Sequence, residues 1–537
     1  MHHHEQPHDL EAAPTSEGDE NEKLPEHPLV RIARSWQSVA ENGHTAFSEV
    51  NRQSFEATHG AMTTLMRKLA EDAQSGRLPE VPAGPEAIRA WYGLQELYWN
   101  SVFAAARDFQ QYLFTQQETY ADALHEAMHG NWEPFAKQCE QFAETIDIIA
   151  RQNPEAIADI AKEVGFHFEN EQEYTKVAET DRSVVYLIHP LVEGVEIDPT
   201  RKPVLLLSPF ILSDGIQALL PHQGISFAHS YAHRGIPTYI VQFKDIMTTP
   251  AVAEMTPEDI IDDVAVFLEE LTQKHGLPAT VVGTCQGAYM ALAGFVSGKW
   301  HGLADQLIQN VPPNDLTKSP EWNRLLEAAP PALLTVDAIT VTLPNGTRAV
   351  SGEAAALAMR LKDPSGRQNP LSQFLQTVER TRTPLKPQHA AVQHWLGEVR
   401  PLPEGPTRMS NLGARIPIAD DGTMPYELYG KPVSFLDAFS RGGLEHIHII
   451  AGDSDDVVTP EVALAPCSLE AVKEFLAKHP TAITHTIVRG GHIAPMTSAV
   501  VRGDAPGGVY AEGGAVYAYE AFEHQQRHNR PEERLAA

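Results

Sequence analysis

The sequence predicts an α/β fold: a mainly parallel sheet layered between helices, interrupted by a long insertion and preceded by an all-helical segment. Three observations carry this. Beyond residue 153, short apolar strand-like runs alternate with helical patterns, the grammar of a parallel sheet with right-handed crossovers. The run 279–283 passes through Thr284-Cys285-Gln286-Gly287 into the apolar helical stretch 288–296. Residues 28–152 carry helical periodicity and no strand-like run.

In chain order, residues 1–26 are acidic and Pro-containing and read as a disordered tail whose three early histidines belong to no ligand motif. Residues 27–152 form a helical domain of three or four helices. Met62, Leu65, Met66 and Leu69 share one helix face, and a second helix starts at Pro85 and runs past Trp91, Leu94 and Tyr98 to Phe109 and Tyr112. After Gly130 and Pro134, the apolar spacing resumes at Phe135, Phe142, Ile146 and Ile149. The first part of the α/β core, 153–313, has strands at 184–188, 204–207, 237–243, 279–283 and 306–311, with helices at 226–234 and 257–274. Residues 314–443 lose the alternation and are read as a cap insertion over the mouth of the site. Strands return at 446–450 and 483–488 within 444–501, and 502–537 reads as a C-terminal tail.

Composition narrows the function. The formal charge of −30, from 41 basic and 71 acidic residues, repels nucleic acid and anionic membranes. No stretch approaches the roughly 20 consecutive apolar residues of a membrane span, and the start lacks a secretion signal. Three widely spaced cysteines, Cys139, Cys285 and Cys467, indicate neither a disulfide framework nor a metal cluster, which points to a reducing cytoplasm. His222, His229 and His233, and the pair His446 and His448 on one strand face, lack a second ligand motif. No metal and no cofactor is therefore expected.

The chemistry converges on Gly283-Thr284-Cys285-Gln286-Gly287. Glycines two residues to either side of a cysteine, between a buried strand and a helix, make the nucleophile elbow of the α/β-hydrolase fold, with sulfur in place of the usual serine oxygen. That fold orders its partners as nucleophile, acid, histidine. A strand ending at Gly452 is followed by the acidic turn Asp453-Ser454-Asp455-Asp456, and a later strand by Gly490-Gly491-His492. Cys285, Asp455 and His492 are thus the candidate triad, on the carboxyl edge of the sheet, with Asp453 the rival acid. The backbone N–H of Gln286 is expected to supply half of an oxyanion hole, and the loop after 204–207, at Phe210 and Ile211, the other half.

These residues also resemble a family. The stretch Val281-Val282-Gly283-Thr284-Cys285-Gln286-Gly287 is similar to the lipase-like box of polyhydroxyalkanoate synthases, and intracellular polyhydroxyalkanoate depolymerases with a cysteine elbow are similar at the same level. Further likenesses are Val204-Leu205-Leu206-Leu207-Ser208-Pro209-Phe210-Ile211, the unit from Ser226-Phe227 through Gly235 to Phe243, and Gly491-His492-Ile493-Ala494. The resemblance covers about 180–310 and 445–500. Two positions depart from it: Ala288 stands where the family has a second glycine, and Asp456 where its acid is followed by histidine.

The resemblance implies a cysteine-dependent acyltransferase acting on 3-hydroxyacyl-CoA thioesters. Cys285 would carry the acyl group, His492 would act as base and Asp455 as the acidic member. A depolymerase or other ester or thioester hydrolase with the same triad, and a non-catalytic granule-associated protein, are the alternatives. An acyl-CoA or polyester substrate, a granule surface and a homodimer are the implied partners. The Ala/Gln-rich helices of 27–152 are similar in texture to granule-coating phasins, or else pack on the core as an ordinary helical domain.

Overall fold

The computed structural model describes residues 26–51, 107, 110–111, 117–210, 214–328, 335–361 and 385–529. The helix face of Met62, Leu65, Met66 and Leu69 lies outside them, as does the helix expected from Pro85 to Tyr112 except at Arg107, Gln110 and Gln111, which are helical. In the amino-terminal segment, α1 (Pro28–Asn51) packs against α2 (Glu133–Asp147). Arg31 bridges Glu133 and Glu140, each at 2.6 Å, and Trp36 lies 6.3 Å from Phe142, ring centre to ring centre. Pro154 does not end the helix. A π turn, Ile148–Gln152, leads directly into α3 (Asn153–Ile160), so the helix widens at the step where Pro154 can donate no hydrogen bond. The strands therefore begin later than residue 153.

One sheet of eight strands organises the rest. They are β1 (Tyr174–Glu179), β2 (Ser183–Ile188), β3 (Val204–Leu207), β4 (Thr238–Phe243), β5 (Ala279–Thr284) and β6 (Ala304–Asn310), joined after the insertion by two further strands. The insertion itself contributes two small hairpins, β7 (Thr340–Thr342) with β8 (Arg348–Val350) and β9 (Thr423–Leu428) with β10 (Lys431–Ser434). β11 (His446–Gly452) and β12 (Ile483–Val488) complete the order β1-β2-β4-β3-β5-β6-β11-β12. β1 and β2 are antiparallel to their neighbours and all other pairs are parallel. With the turn at Cys285 this is the α/β-hydrolase arrangement. β1 was not foreseen because it is an edge strand, with Thr175 and Lys176 exposed, and an edge carries no apolar alternation.

Helices cover both faces. On one side lie α4 (Phe227–Ala232) and the C-terminal helix; on the other, α5 (Pro257–His275) and α6 (Gln286–Ser297). α5 starts at a reciprocal Thr256–Asp259 cap with Pro257 in its first turn, and stops at Gly276, φ 66°. The segment expected as a single cap divides between the faces. Met409, Tyr426, Val433 and Phe435 are buried in the core beside α5 and α6, whereas Ala390, Ala391 and Trp395 of the helix Pro387–Gly397 are buried on the opposite face. Among the described residues no helix is long and apolar enough to cross a membrane.

Residues 502–529 are not a tail. Residues Ala515–Asn529 form a helix that seals the sheet and clamps the amino-terminal ends of β3 and β6. The Tyr519 hydroxyl donates to the Lys202 carbonyl (2.6 Å), Glu523 accepts from the Lys202 N–H (3.0 Å) and pairs with Arg201 (2.7 Å), and Gln526 donates to Asp305 (2.7 Å). Lys202 and Asp305 form a buried ion pair beneath it. The glycines at 507, 508, 513 and 514 obscured this helix in the sequence, and its polar residues reach back to charges that only the fold brings near. Removing one member of a buried pair strands the other. Lys202→Ala is expected to cost about 3–5 kcal/mol in urea denaturation, with most of that loss recovered in Lys202→Met/Asp305→Leu.

Candidate active site

β5 is buried along its whole length and ends in an abrupt turn. Cys285 takes φ 50°, ψ −117°, a conformation that costs a side-chain-bearing residue about 1–3 kcal/mol and survives only where the surroundings enforce it. Its N–H donates to the Asn310 carbonyl of β6 at 2.8 Å, and its own carbonyl accepts from Ala288 and Tyr289 at 3.0 and 3.2 Å, starting α6. A methyl group on Gly283 would stand 2.4 Å from the Ala288 Cα, and one on Gly287 would stand 2.3 Å from the Leu207 carbonyl oxygen. Both glycines are therefore required by contact, and Ala288 fills a position where a second glycine is unnecessary. The Cys285 side chain is half-buried.

Gln286 is the first residue of α6, so its backbone lies at the positive end of the helix. The close approach of Gly287 to Leu207 and Ser208 brings the end of β3 against the elbow. Phe210, two residues farther on, is half-buried and packs on the core; Ile211 lies outside the described residues.

The other two residues arrive from β11 and β12. Asp455 is buried, with 0% of its side chain exposed, and both its oxygens are engaged. Oδ1 accepts from the Val457 and Val458 N–H groups, both at 2.8 Å, and Oδ2 meets His492 Nδ1 at 2.8 Å. Asp453 is engaged elsewhere: its carboxylate accepts the Gly490 N–H at 2.8 Å, bracing the histidine loop rather than the ring. A methyl group on Gly452 would lie 2.4 Å from the Gly490 carbonyl, so this strand-ending glycine lets the two loops touch. The roles of Val457, Val458 and Gly452 went unseen in the sequence, although an aspartate followed by N–H groups two and three residues on is the mark of an Asx turn.

His492 keeps 19% of its side chain exposed. Burial pushes its imidazole towards the neutral form, but the Asp455 carboxylate and the Cys285 sulfur, each acting through charge and a hydrogen bond, outweigh that and push the pKa up to about 10. The Asp455 carboxylate and the Cys285 sulfur thus both favour the protonated ring. Three other histidines are tied into the fold: His229 bonds Ser226 Oγ at 2.7 Å, and His446 and His448 both bond Thr484, at 2.9 and 2.7 Å. No group of three or more His, Cys, Asp or Glu among the described residues could hold a metal ion.

Two outcomes are expected. Gly287→Ala forces a methyl group into backbone and should cost about 3 kcal/mol or more by chemical denaturation, the upper end of overpacking. The raised His492 pKa gives a stabilisation fully present below its unfolded value near 6.5 and lost as pH rises towards about 10. The stability difference between the wild type and Asp455→Asn should therefore shrink steadily over that range, and Asp453→Asn should not reproduce the trend.

No family model matches the chain, and no curated protein does. Solved structures do match, at low similarity. A carboxylesterase of the thaumarchaeon Nitrososphaera gargenis is 15% identical, over 60% of this chain and 92% of that one, with a TM-score of 0.31. A thioesterase domain from the curacin biosynthetic pathway is 14% identical over 61% and 96%, TM-score 0.32, and a putative aryl esterase from Burkholderia cenocepacia 10% over 66% and 98%, TM-score 0.34. Likeness at this level carries no argument about activity. The strand order, strand directions and left-handed Cys285 turn are themselves those of the α/β-hydrolase fold.

Proposed function

We propose that the chain is a cysteine-dependent acyltransferase acting on 3-hydroxyacyl-CoA thioesters, similar to polyhydroxyalkanoate synthases, with Cys285 as acyl carrier, His492 as acid and base, and Asp455 as the group that orients and charges the ring. The single observation that carries this reading is the grouping of Asp455, His492 and Cys285, with the carboxylate 2.8 Å from Nδ1 and the sulfur close enough to act on the ring through charge and a hydrogen bond. A thiolate beside an imidazolium is a ready nucleophile.

In the first half-reaction the Cys285 thiolate attacks the thioester carbonyl. The oxyanion gathers on the Gln286 N–H and a donor near Phe210 or Ile211, the C–S bond to coenzyme A breaks, and the His492 proton goes to the departing thiolate. One thioester replaces another at little cost in free energy, which keeps the acyl group activated. Loss of the negative sulfur removes one of the two charges supporting the imidazolium, so the ring becomes a better base at the moment one is needed. An incoming hydroxyl then gives its proton to His492 and expels Cys285 as thiolate, restoring the starting pair.

Hydrolysis is the second reading, favoured by Asp456 at the position where those synthases carry histidine. It needs only water in place of the alcohol. A granule surface and a homodimer belong to the synthase reading as its partners. Brief exposure to 3-hydroxybutyryl-CoA followed by mass spectrometry should find an acyl adduct on Cys285. The adduct should be absent from Cys285→Ala and formed about 10²–10⁴-fold more slowly in His492→Ala. An insoluble ester product identifies the transferase, free acid alone the hydrolase, and no adduct on the wild type overturns both.

A further inference from the structure

Beneath the elbow, adjacent strands end in polar side chains that bond to nothing among the described residues. Ser208 follows β3, and Thr284 and Asn310 close β5 and β6, where they are partners in register. Each stands two residues beyond Leu206, Val282 or Ile308, which are buried together in the core on the α4 side, so all three project to that face. Gln217 joins them from behind, its amide nitrogen 3.4 Å from the Leu207 carbonyl. Ser208 is 5% exposed, Thr284 1%, and Gln217 and Asn310 0%. Even so, Ser208 Oγ, Thr284 Oγ1, Gln217 Oε1 and both polar atoms of the Asn310 amide have no hydrogen-bond partner among the described residues.

Such a row is costly. Each buried, unpaired group forfeits its hydration, and Val or Ala at these places would relieve the loss. The row is also neutral, mixing hydroxyl and amide groups that both donate and accept, which suits an uncharged hydroxyl and neither a phosphate nor a metal ion. Its place in the fold says which hydroxyl. Ile493 and Met496, one and four residues after His492, pack on this same face, and the Gly490 and Gly491 carbonyls lie over Gly452 there, so His492 comes down on the row's side of the elbow. A nucleophile that attacks a Cys285 thioester must give its proton to His492 and therefore approach from that side.

We propose that Ser208, Thr284, Gln217 and Asn310 form the subsite for the hydroxyl of the acyl acceptor, the group that discharges the Cys285 thioester. This rests on the acyl-enzyme reading above. The hydroxyl enters past the half-buried Cys285 and the partly exposed His492, and the row's side chains hold its oxygen while His492 accepts its proton. The new C–O bond forms as the C–S bond breaks, and Cys285 leaves as thiolate with the proton retained on His492. The row touches the second half-reaction and not the first.

Rapid-quench kinetics with 3-hydroxybutyryl-CoA separates the two halves: the burst of free coenzyme A reports acylation, and steady turnover reports discharge. Thr284→Val, which keeps shape and removes one unpaired hydroxyl, should leave the burst rate within about twofold, slow discharge about tenfold or more, and leave the melting temperature equal or higher. Asn310→Leu should do the same; if it fails to fold, Thr284→Val decides alone. Running each variant in water and again with methyl 3-hydroxybutyrate distinguishes the acceptor, since slowed acid release marks a water subsite, slowed ester formation an alcohol subsite, and either supports the proposal. Discharge unchanged, or both phases slowed equally, overturns it. A wild type with no burst would instead refute the acyl-enzyme reading itself.

Discussion

The close approach of the Gly287 backbone to the end of β3 is the constraint on which the remainder of the site depends. A methyl group on Gly287 would stand only 2.3 Å from the Leu207 carbonyl oxygen, and Gly283 is hemmed in equally by the start of α6. Those two contacts pin the chain so tightly that Cys285 is carried into a positive-φ turn, and the N–H bond to Asn310 holds it there. The strain stored at Cys285 is offset by the packing of β5, buried along its length, and by an elbow helix almost wholly enclosed in the core. A thiol on a relaxed loop would have no such fixed relation to residues more than a hundred positions away.

Electrostatics then acts on the ring that this position fixes. Asp455 gives one oxygen to two backbone N–H groups and the other to His492, so it is oriented without a competing cation, and its charge is available to the ring. Asp453 performs a different task a few ångströms away, tying the histidine loop to the turn that carries the acid. Two carboxylates two residues apart thus divide the work of supporting and of charging. The rise in the His492 pKa is the net result of three effects of which burial opposes the other two, so it depends on both partners remaining in place.

Much of this was legible in the sequence because the chemistry and the packing use the same residues. Glycine two positions either side of a cysteine, an acidic turn after Gly452 and a Gly-Gly-His loop each imply a backbone shape as well as a reagent, and their order along the chain matches one fold. The interior strands were equally plain, since a run such as Val204–Leu207 is apolar on both faces. What escaped detection was whatever depends on partners distant in sequence. β1 is an edge strand of mixed polarity, the C-terminal helix hides its purpose in Tyr519 and Glu523 reaching Lys202, and the division of the insertion between two faces follows from packing against β-sheet helices. The unpaired row of Ser208, Thr284 and Asn310 was invisible for the same reason: each residue is ordinary alone, and only strand register sets them side by side.

In the proposed reaction, sulfur, imidazole and carboxylate act as one charged unit. Nitrogen-15 NMR of the histidine-labelled protein, following the ring nitrogens of His492 from pH 5 to 11, tests it most directly. The expected result is an imidazolium that persists to about pH 10 in the wild type and titrates at distinctly lower pH in Cys285→Ala. A His492 resonance that titrates near 6.5 in the wild type, unchanged when the sulfur is removed, would contradict it.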